Sequence, residues 1–399
     1  MEAIQYVKSV PRYLATRYLG RYWNRFYTSG FGCLKLTDVE PPRLPSPRWL
    51  RVRPLLSGIC GSDLATLTAQ GTPFFSPLTS TPFVLGHEVV GIVEECGKNV
   101  EGIREGERVV LAPPLHCRIR EVEPVCSACA AGNEGLCTNV TRGIISAGIQ
   151  TGFCRDTGGG WSHSLVAHEN QLFKVPDDLA AEEAVLIEPF SCCLYAAKKS
   201  NVGQDGTILV IGCGTMGLLT IAALRMLGRK CRIIAVARYP HQQEAALRLG
   251  ADIVVGGRDP FPDLVSRLEA ESRQPELGRP TVLGGADATY DCVGSSRTID
   301  DSMRLTRSGG SIFMVGMPSI PDNVDWTSMW FKELRIEGSY TSDHRTFRQA
   351  TEMISASPGK LKGLVGARYP LRELQSALDS ALHTGRSGVI KTVFDLENS

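Results

Sequence analysis

The densest chemistry in the chain is a run of thiols. Cys126, Cys129 and Cys137 follow one another at metal-ligand spacing, with Gly132 and Gly135 between them to let the segment fold back. A structural zinc site wants four soft ligands in a tetrahedron, so Cys117 is expected to complete the set, with His116 beside it in reserve. The plainer alternative is a chance cluster of buried thiols. A second constellation is looser: Cys60, Ser62 and Asp63 stand in GICGSD, His87 and Glu88 in GHEVVG, and Glu188 in LIEPF. Catalytic zinc keeps three protein ligands and one open position. Cys60 and His87 offer a thiolate and an imidazole, and either Glu88 or Glu188 offers the carboxylate. A zinc ion there would act as a Lewis acid on an alcohol or carbonyl oxygen. Asp63 either orients one of the ligands or caps its own loop. A lone buried Cys is usually core, so this pair takes its force from its company.

The third motif is Gly212-Cys213-Gly214-Thr215-Met216-Gly217, placed between the apolar run TILVI and a helical stretch. In that setting the first glycine permits a tight turn, the second lets backbone approach a pyrophosphate, and the third allows close packing of helix on strand. The helix N-terminus then offers unpaired N–H groups to the phosphates. An NAD site places Asp or Glu at the end of the next strand, whereas an NADP site supplies Arg there. Ala237, Arg238 and Tyr239 occupy that place. NADP is therefore expected, with NAD as the second choice; a surface arginine without a ligand is the other reading of Arg238.

Taken in order, GICGSD, GHEVVG, the cysteine loop, the EP dipeptide, the glycine turn and the closing GVIK resemble the zinc-dependent medium-chain alcohol dehydrogenases, above all the sorbitol and threonine dehydrogenase branch. The resemblance runs from about residue 30 to 395. It implies a GroES-like β-rich catalytic domain plus a Rossmann doubly wound parallel-sheet domain, hence an α/β fold. The expected boundaries are 1–195 with an N-terminal helical insertion, 196–340, and 341–399 returning to the first domain. It also implies that Cys60, His87 and Glu88 or Glu188 hold catalytic zinc, that Ser62 relays the alcohol proton, and that the chain is a homo-oligomer, dimer or tetramer. Three positions depart from the family pattern. Glu123 stands where the first loop cysteine is usual, so Cys117 must reach the metal across an insertion. Ala65 replaces a relay His, and Ala237 replaces the Asp of the second strand.

The expected reaction is reversible hydride transfer between a small alcohol or carbonyl compound and a nicotinamide. One alternative is a zinc-bearing, NADPH-dependent reductase of a C=C or C=N bond. Another is a non-catalytic protein that binds dinucleotide and zinc, which would have no need of an open metal position.

These residues need elements to carry them. Up to about residue 190 the chain shows short β-branched runs broken by Gly and Pro, as in a strand-rich domain with long loops. Beyond residue 200, strands alternate with helices, which requires parallel pairing. The closing GVIKTVFD reads as one more strand. At the N-terminus MEAIQYV reads as a strand, and Val10, Leu14, Tyr18 and Tyr22 then recur at helical spacing. They are expected to pack inward while Arg12, Arg17, Arg21 and Arg25 face solvent.

The 399 residues exceed what one core usually organises, so two domains are expected. With 43 Lys+Arg against 42 Asp+Glu, no field of one sign is available for nucleic acid or an anionic membrane. Thr207 to Leu224 carry no charge, but their glycines divide them into strand and helix rather than a membrane span. Thirteen cysteines, an odd number, favour reduced thiols and a cytoplasmic setting.

Overall fold

β-branched runs such as VVGIVEEC and RVVL favour extended backbone, and these two pair as antiparallel strands. The computed structural model describes residues 1–318 and 320–397. Two units emerge: Met1–Glu188 with Asp343–Ser399, and Pro189–Ser342. Residues after Glu188 bond within the second unit: Ser191 Oγ meets Ser342 Oγ at 2.9 Å, and Cys193 Sγ donates to Met216 O at 3.2 Å.

In the first unit the long strand Trp49–Gly58 lies at the centre of a seven-stranded sheet. It pairs antiparallel with Val89–Cys96 on one side and with the tail strand Lys391–Asp395 on the other, where Val393 stands opposite Gly58. That register brings three distant stretches to one place: the turn after Gly58, the residues preceding Val89, and the start of the tail strand. Trp161 and Phe394, both fully buried, meet with ring centroids 5.0 Å apart and anchor the tail in the core.

A smaller sheet runs Leu34–Asp38, Glu2–Tyr6, Phe83–Val84. The helix Val10–Leu19 follows its middle strand but packs the opposite way from the expectation. Val10, Leu14, Tyr18 and Tyr22 are 66, 46, 57 and 77% exposed. The inward face carries Thr16 and the partly buried Tyr13, and Gly20 leaves room for the Tyr27 ring, which a β-carbon would meet at 2.2 Å. Arg12 donates to Gly30 O and Gly32 O, and Arg17 to Ala69 O at 3.2 Å. Two of the four arginines are thus spent on loop carbonyls instead of a solvated face.

The second unit is a parallel six-stranded sheet in the order Ile253–Val255, Arg232–Val236, Thr207–Ile211, Ala286–Asp291, Thr306–Met314, Arg335–Gly338. The order reverses beside Thr207–Ile211, the switch point at which doubly wound sheets bind ligands. Thr207–Ile211 and the helix Thr215–Met226 divide the uncharged run in two, and among the described residues no helix is long and apolar enough to cross a membrane.

Candidate functional site

Cys60 sits just past the end of Trp49–Gly58 and caps the helix Gly61–Leu67. The Asp63 carboxylate accepts from Cys60 N at 3.0 Å, and its other oxygen stands 3.4 Å from His87 Nδ1. One buried carboxylate thus ties the two sequence motifs together and leaves Nε2 as the imidazole nitrogen open to a metal. Burial disfavours a charged His87, but Asp63 and Cys60 outweigh it and hold the imidazole pKa well above its ordinary value.

Cys60, His87 and Glu88 converge, their donor atoms all within 4.8 Å of one another. His87 and Glu88 are buried and Cys60 half-buried, and such sulfur, nitrogen and oxygen donors in one place are a set that zinc accepts. Glu188, in the first turn of Ile187–Lys199, is buried but stands outside this group of three. Ser62 lies two residues beyond Cys60 and is half-buried. The side of His87 faces the ring of Phe153, with centroids 6.1 Å apart.

A residue that sequence reasoning missed completes the picture. Lys391, from the tail strand, forms a buried ion pair with Glu88 and donates to Ile59 O at 2.9 Å. Burial works against the ammonium, yet Glu88, Cys60 and Asp63 hold its pKa above the ordinary lysine value. Gly58 makes the space: a β-carbon there would stand 1.8 Å from the Glu88 carboxylate. The signal in the sequence was a lysine inside the apolar run VIKTVF.

The four cysteines of the loop also meet. Cys117, Cys126, Cys129 and Cys137 have sulfurs all within 4.8 Å, with Cys117–Cys137 at 3.6 Å and Cys126–Cys137 at 3.9 Å. Four thiolates at zinc–sulfur distance form a tetrahedron with edges of about 3.8 Å. Three N–H groups support the sulfurs: Cys126 N and Asn139 Nδ2 donate to Cys117, at 3.3 and 3.2 Å, and Asn139 N donates to Cys137 at 3.3 Å. Burial raises the Cys126 pKa, but the backbone of Cys129 and Thr138 carries it down to about 6, whereas burial leaves Cys137 at about 11. His116 is outside the cluster; burial and the nearby His344 push its pKa down to about 3.

In the second unit Gly212 takes φ +92°, the left-handed region, and both it and Cys213 donate to Val236 O. A β-carbon on Gly217 would stand 2.0 Å from Gly212 O, while one on Gly214 would meet nothing within 4 Å. Thr215 and Met216 open the helix that Gly214 caps. So the first and third glycines let the turn close, and the second leaves its face open. Past the next strand Ala237 is buried, and the exposed Arg238 guanidinium lies 5.5 Å from the Tyr239 ring centroid. Tyr239 in turn stacks on His241.

A thiol–imidazole–carboxylate cluster in a β-rich unit, and a glycine turn at the switch point of a doubly wound unit, define a zinc-dependent dehydrogenase as the class of protein. Comparison with known proteins agrees. Residues 46–177 match the alcohol dehydrogenase GroES-like domain, and residues 215–356 match the zinc-binding dehydrogenase domain. The chain is 30% identical to sorbitol dehydrogenase of Arabidopsis thaliana over 90% of its own length and 92% of the relative's. It is 29% identical to L-idonate 5-dehydrogenase of Vitis vinifera, covering 91% and 93%. Among solved structures, 2R,3R-butanediol dehydrogenase of Bacillus subtilis shares the fold, with TM-score 0.73, 23% identity and 99% of each chain covered. The chain belongs to the zinc-dependent medium-chain alcohol dehydrogenase family. It is an oxidoreductase that uses zinc and NAD(P) to move a hydride between the nicotinamide and an alcohol or carbonyl compound.

Proposed function

We propose that the substrate is a small polyol or its ketose-like carbonyl partner, oxidised or reduced at a secondary carbon, with NADP preferred to NAD. The observation that carries this reading is the convergence of Cys60, His87 and Glu88 within 4.8 Å. The sorbitol and idonate dehydrogenases among the relatives supply the polyol class, and Ala237 with Arg238, lacking a carboxylate, supplies the cofactor preference.

Cys60 and His87 would hold the catalytic zinc with a carboxylate. Glu88 is assigned that place ahead of Glu188 because it lies within the donor group, with Lys391 fixing one of its oxygens. When bound, zinc supplies Lewis acidity toward the substrate oxygen and the nicotinamide supplies the hydride chemistry. Ser62, two residues beyond Cys60, passes the hydroxyl proton outward; Ala65 offers no further relay, so the proton leaves Ser62 to water or to another side chain. Asp63 keeps His87 in the metal-binding tautomer. Cys117, Cys126, Cys129 and Cys137 hold a structural zinc. Gly212, Gly214, Thr215, Met216 and Gly217 receive the pyrophosphate and Arg238 the 2′-phosphate.

A homo-oligomer is part of this reading. Among the described residues the strand Arg335–Gly338 is an edge of its sheet, and Trp326, Trp330 and Phe331 are exposed just before it in sequence, a combination that asks for cover. The odd count of thirteen cysteines, with five of them assigned to zinc, favours a reducing setting and the cytosol. The test is an assay of purified protein with NADP+ and NAD+ against a panel of polyols, simple secondary alcohols and conjugated alkenes with the reduced cofactors. Turnover of polyols with NADP+ is expected; turnover of alkenes alone would overturn the reading.

A further inference from the structure

Arg120 is a fully buried cation with no acid of its own. Its Nε donates to Leu115 O at 3.0 Å, and its two terminal nitrogens donate to five carbonyls between Val140 and Gly148. Every donor is satisfied, but carbonyl dipoles do not cancel a net charge, and a buried ion without a counter-charge is costly. Among the described residues Arg120 makes no ion pair. Asp156, the carboxylate that bears on it electrostatically, is itself paired with Arg155 and accepts from Ser146 N.

Its position in the chain points to what balances it. Arg120 lies in the insertion that separates Cys117 from Cys126, inside a turn closed by Arg120 N to His116 O and Val122 N to Cys117 O. Its guanidinium reaches across to Val140 O and Arg142 O, in the segment just past Cys137. It therefore fastens the two stretches that carry the first and the last thiol of the cluster. Burial pulls the Arg120 pKa down, and the sulfurs of Cys154, Cys137 and Cys117, with Asp156, work against that. Four thiolates around a divalent zinc carry a net charge of about −2.

We infer that Arg120 is the positioning residue and built-in counter-ion of the four-cysteine centre, holding Cys117 in reach across the insertion and offsetting the negative charge of a zinc tetrathiolate. The inference rests on the zinc reading of those thiols, and the test separates the two.

Zinc-loaded full-length protein, Arg120→Gln and Arg120→Lys are challenged at one neutral pH with a chromogenic zinc chelator. Iodoacetamide labelling with peptide mass spectrometry then follows Cys117, Cys126, Cys129 and Cys137 one by one. Circular dichroism and labelling of the buried Cys213 in the second unit report on the fold. In the parent protein slow, zinc-dependent labelling of the four thiols is expected; labelling indifferent to zinc would overturn the zinc reading and the inference with it. Given protection in the parent, Arg120→Gln is expected to release zinc and label about 10–100-fold faster. Arg120→Lys, which keeps the charge without the fork, is expected to recover most of the protection. Gln as protected as the parent, or Lys as labile as Gln, would overturn the counter-ion role while leaving the zinc reading intact. Should Arg120→Gln fail to fold, Lys decides alone: protection close to the parent's supports the inference, and loss of an order of magnitude overturns it.

Discussion

Replacing Lys391 by Met should destabilise the zinc-free protein far more than the zinc-loaded one. The Lys391 and Glu88 side chains are 3 and 1% exposed, so removing the ammonium leaves a carboxylate with neither water nor a cation. Removing one partner of such a buried pair costs about 3–5 kcal/mol. For a unit of this size that corresponds to a fall in Tm of about 6–20 °C. Zinc at Cys60, His87 and Glu88 would put a new cation beside the orphaned carboxylate and recover much of the loss, so the gap in Tm between loaded and stripped protein should widen in the variant. The double variant Glu88→Gln, Lys391→Met removes both charges and should cost less than Lys391→Met alone. Thermal and urea unfolding of the parent, the two single variants and the double variant, each with and without zinc, close the cycle. Equal cost for the single Lys391 variant and the double variant, or a cost below about 1 kcal/mol for the former in stripped protein, would refute the reasoning.

Gly217→Ala should weaken NAD(P) binding by about tenfold or more, because its β-carbon would lie 2.0 Å from Gly212 O and open the turn; unchanged affinity by cofactor fluorescence would contradict this. Arg238→Glu should move the kcat/KM ratio for NADP+ over NAD+ toward NAD+ by about tenfold or more, and an unmoved ratio would remove Arg238 from the 2′-phosphate site. Lys332 is buried, bonded to Arg304 O and Thr306 O, and burial brings its pKa down from 10.5 to about 8. Between those values the unfolded chain holds a proton that the folded chain has lost, so stability rises with pH across that window by up to about 3 kcal/mol. Urea unfolding of the parent and of Lys332→Met should differ in this pH slope, and parallel slopes would contradict the assignment.

The motifs that could be read from the sequence are those whose physics is local. Gly212 to Gly217 act within six residues, and their roles follow from the strand before and the helix after. The thiols from Cys117 to Cys137 announce a tetrahedron by type and number, and the structure brings all four together. Lys391 was hidden because its partner Glu88 lies in a different stretch of chain, and it takes the pairing of both Lys391–Asp395 and Val89–Cys96 with Trp49–Gly58 to unite them. Arg120 was hidden for a statistical reason: arginines are almost never fully buried, and nothing in its neighbours announces a cage of carbonyls. The N-terminal helix misled because periodicity counts apolar residues. Gly20 and Thr16, small enough to admit Tyr27 and Cys33, decided which face turned inward, and Arg12 and Arg17 found carbonyls in place of water.

The central claim is that Cys60 and His87 hold a catalytic metal distinct from the four-cysteine centre, and zinc content per chain measured alongside turnover tests it most directly. The parent protein should carry two zinc ions, one for each donor cluster, and Cys60→Ser should carry one and turn over no alcohol. Full turnover and unchanged zinc in Cys60→Ser would contradict the account.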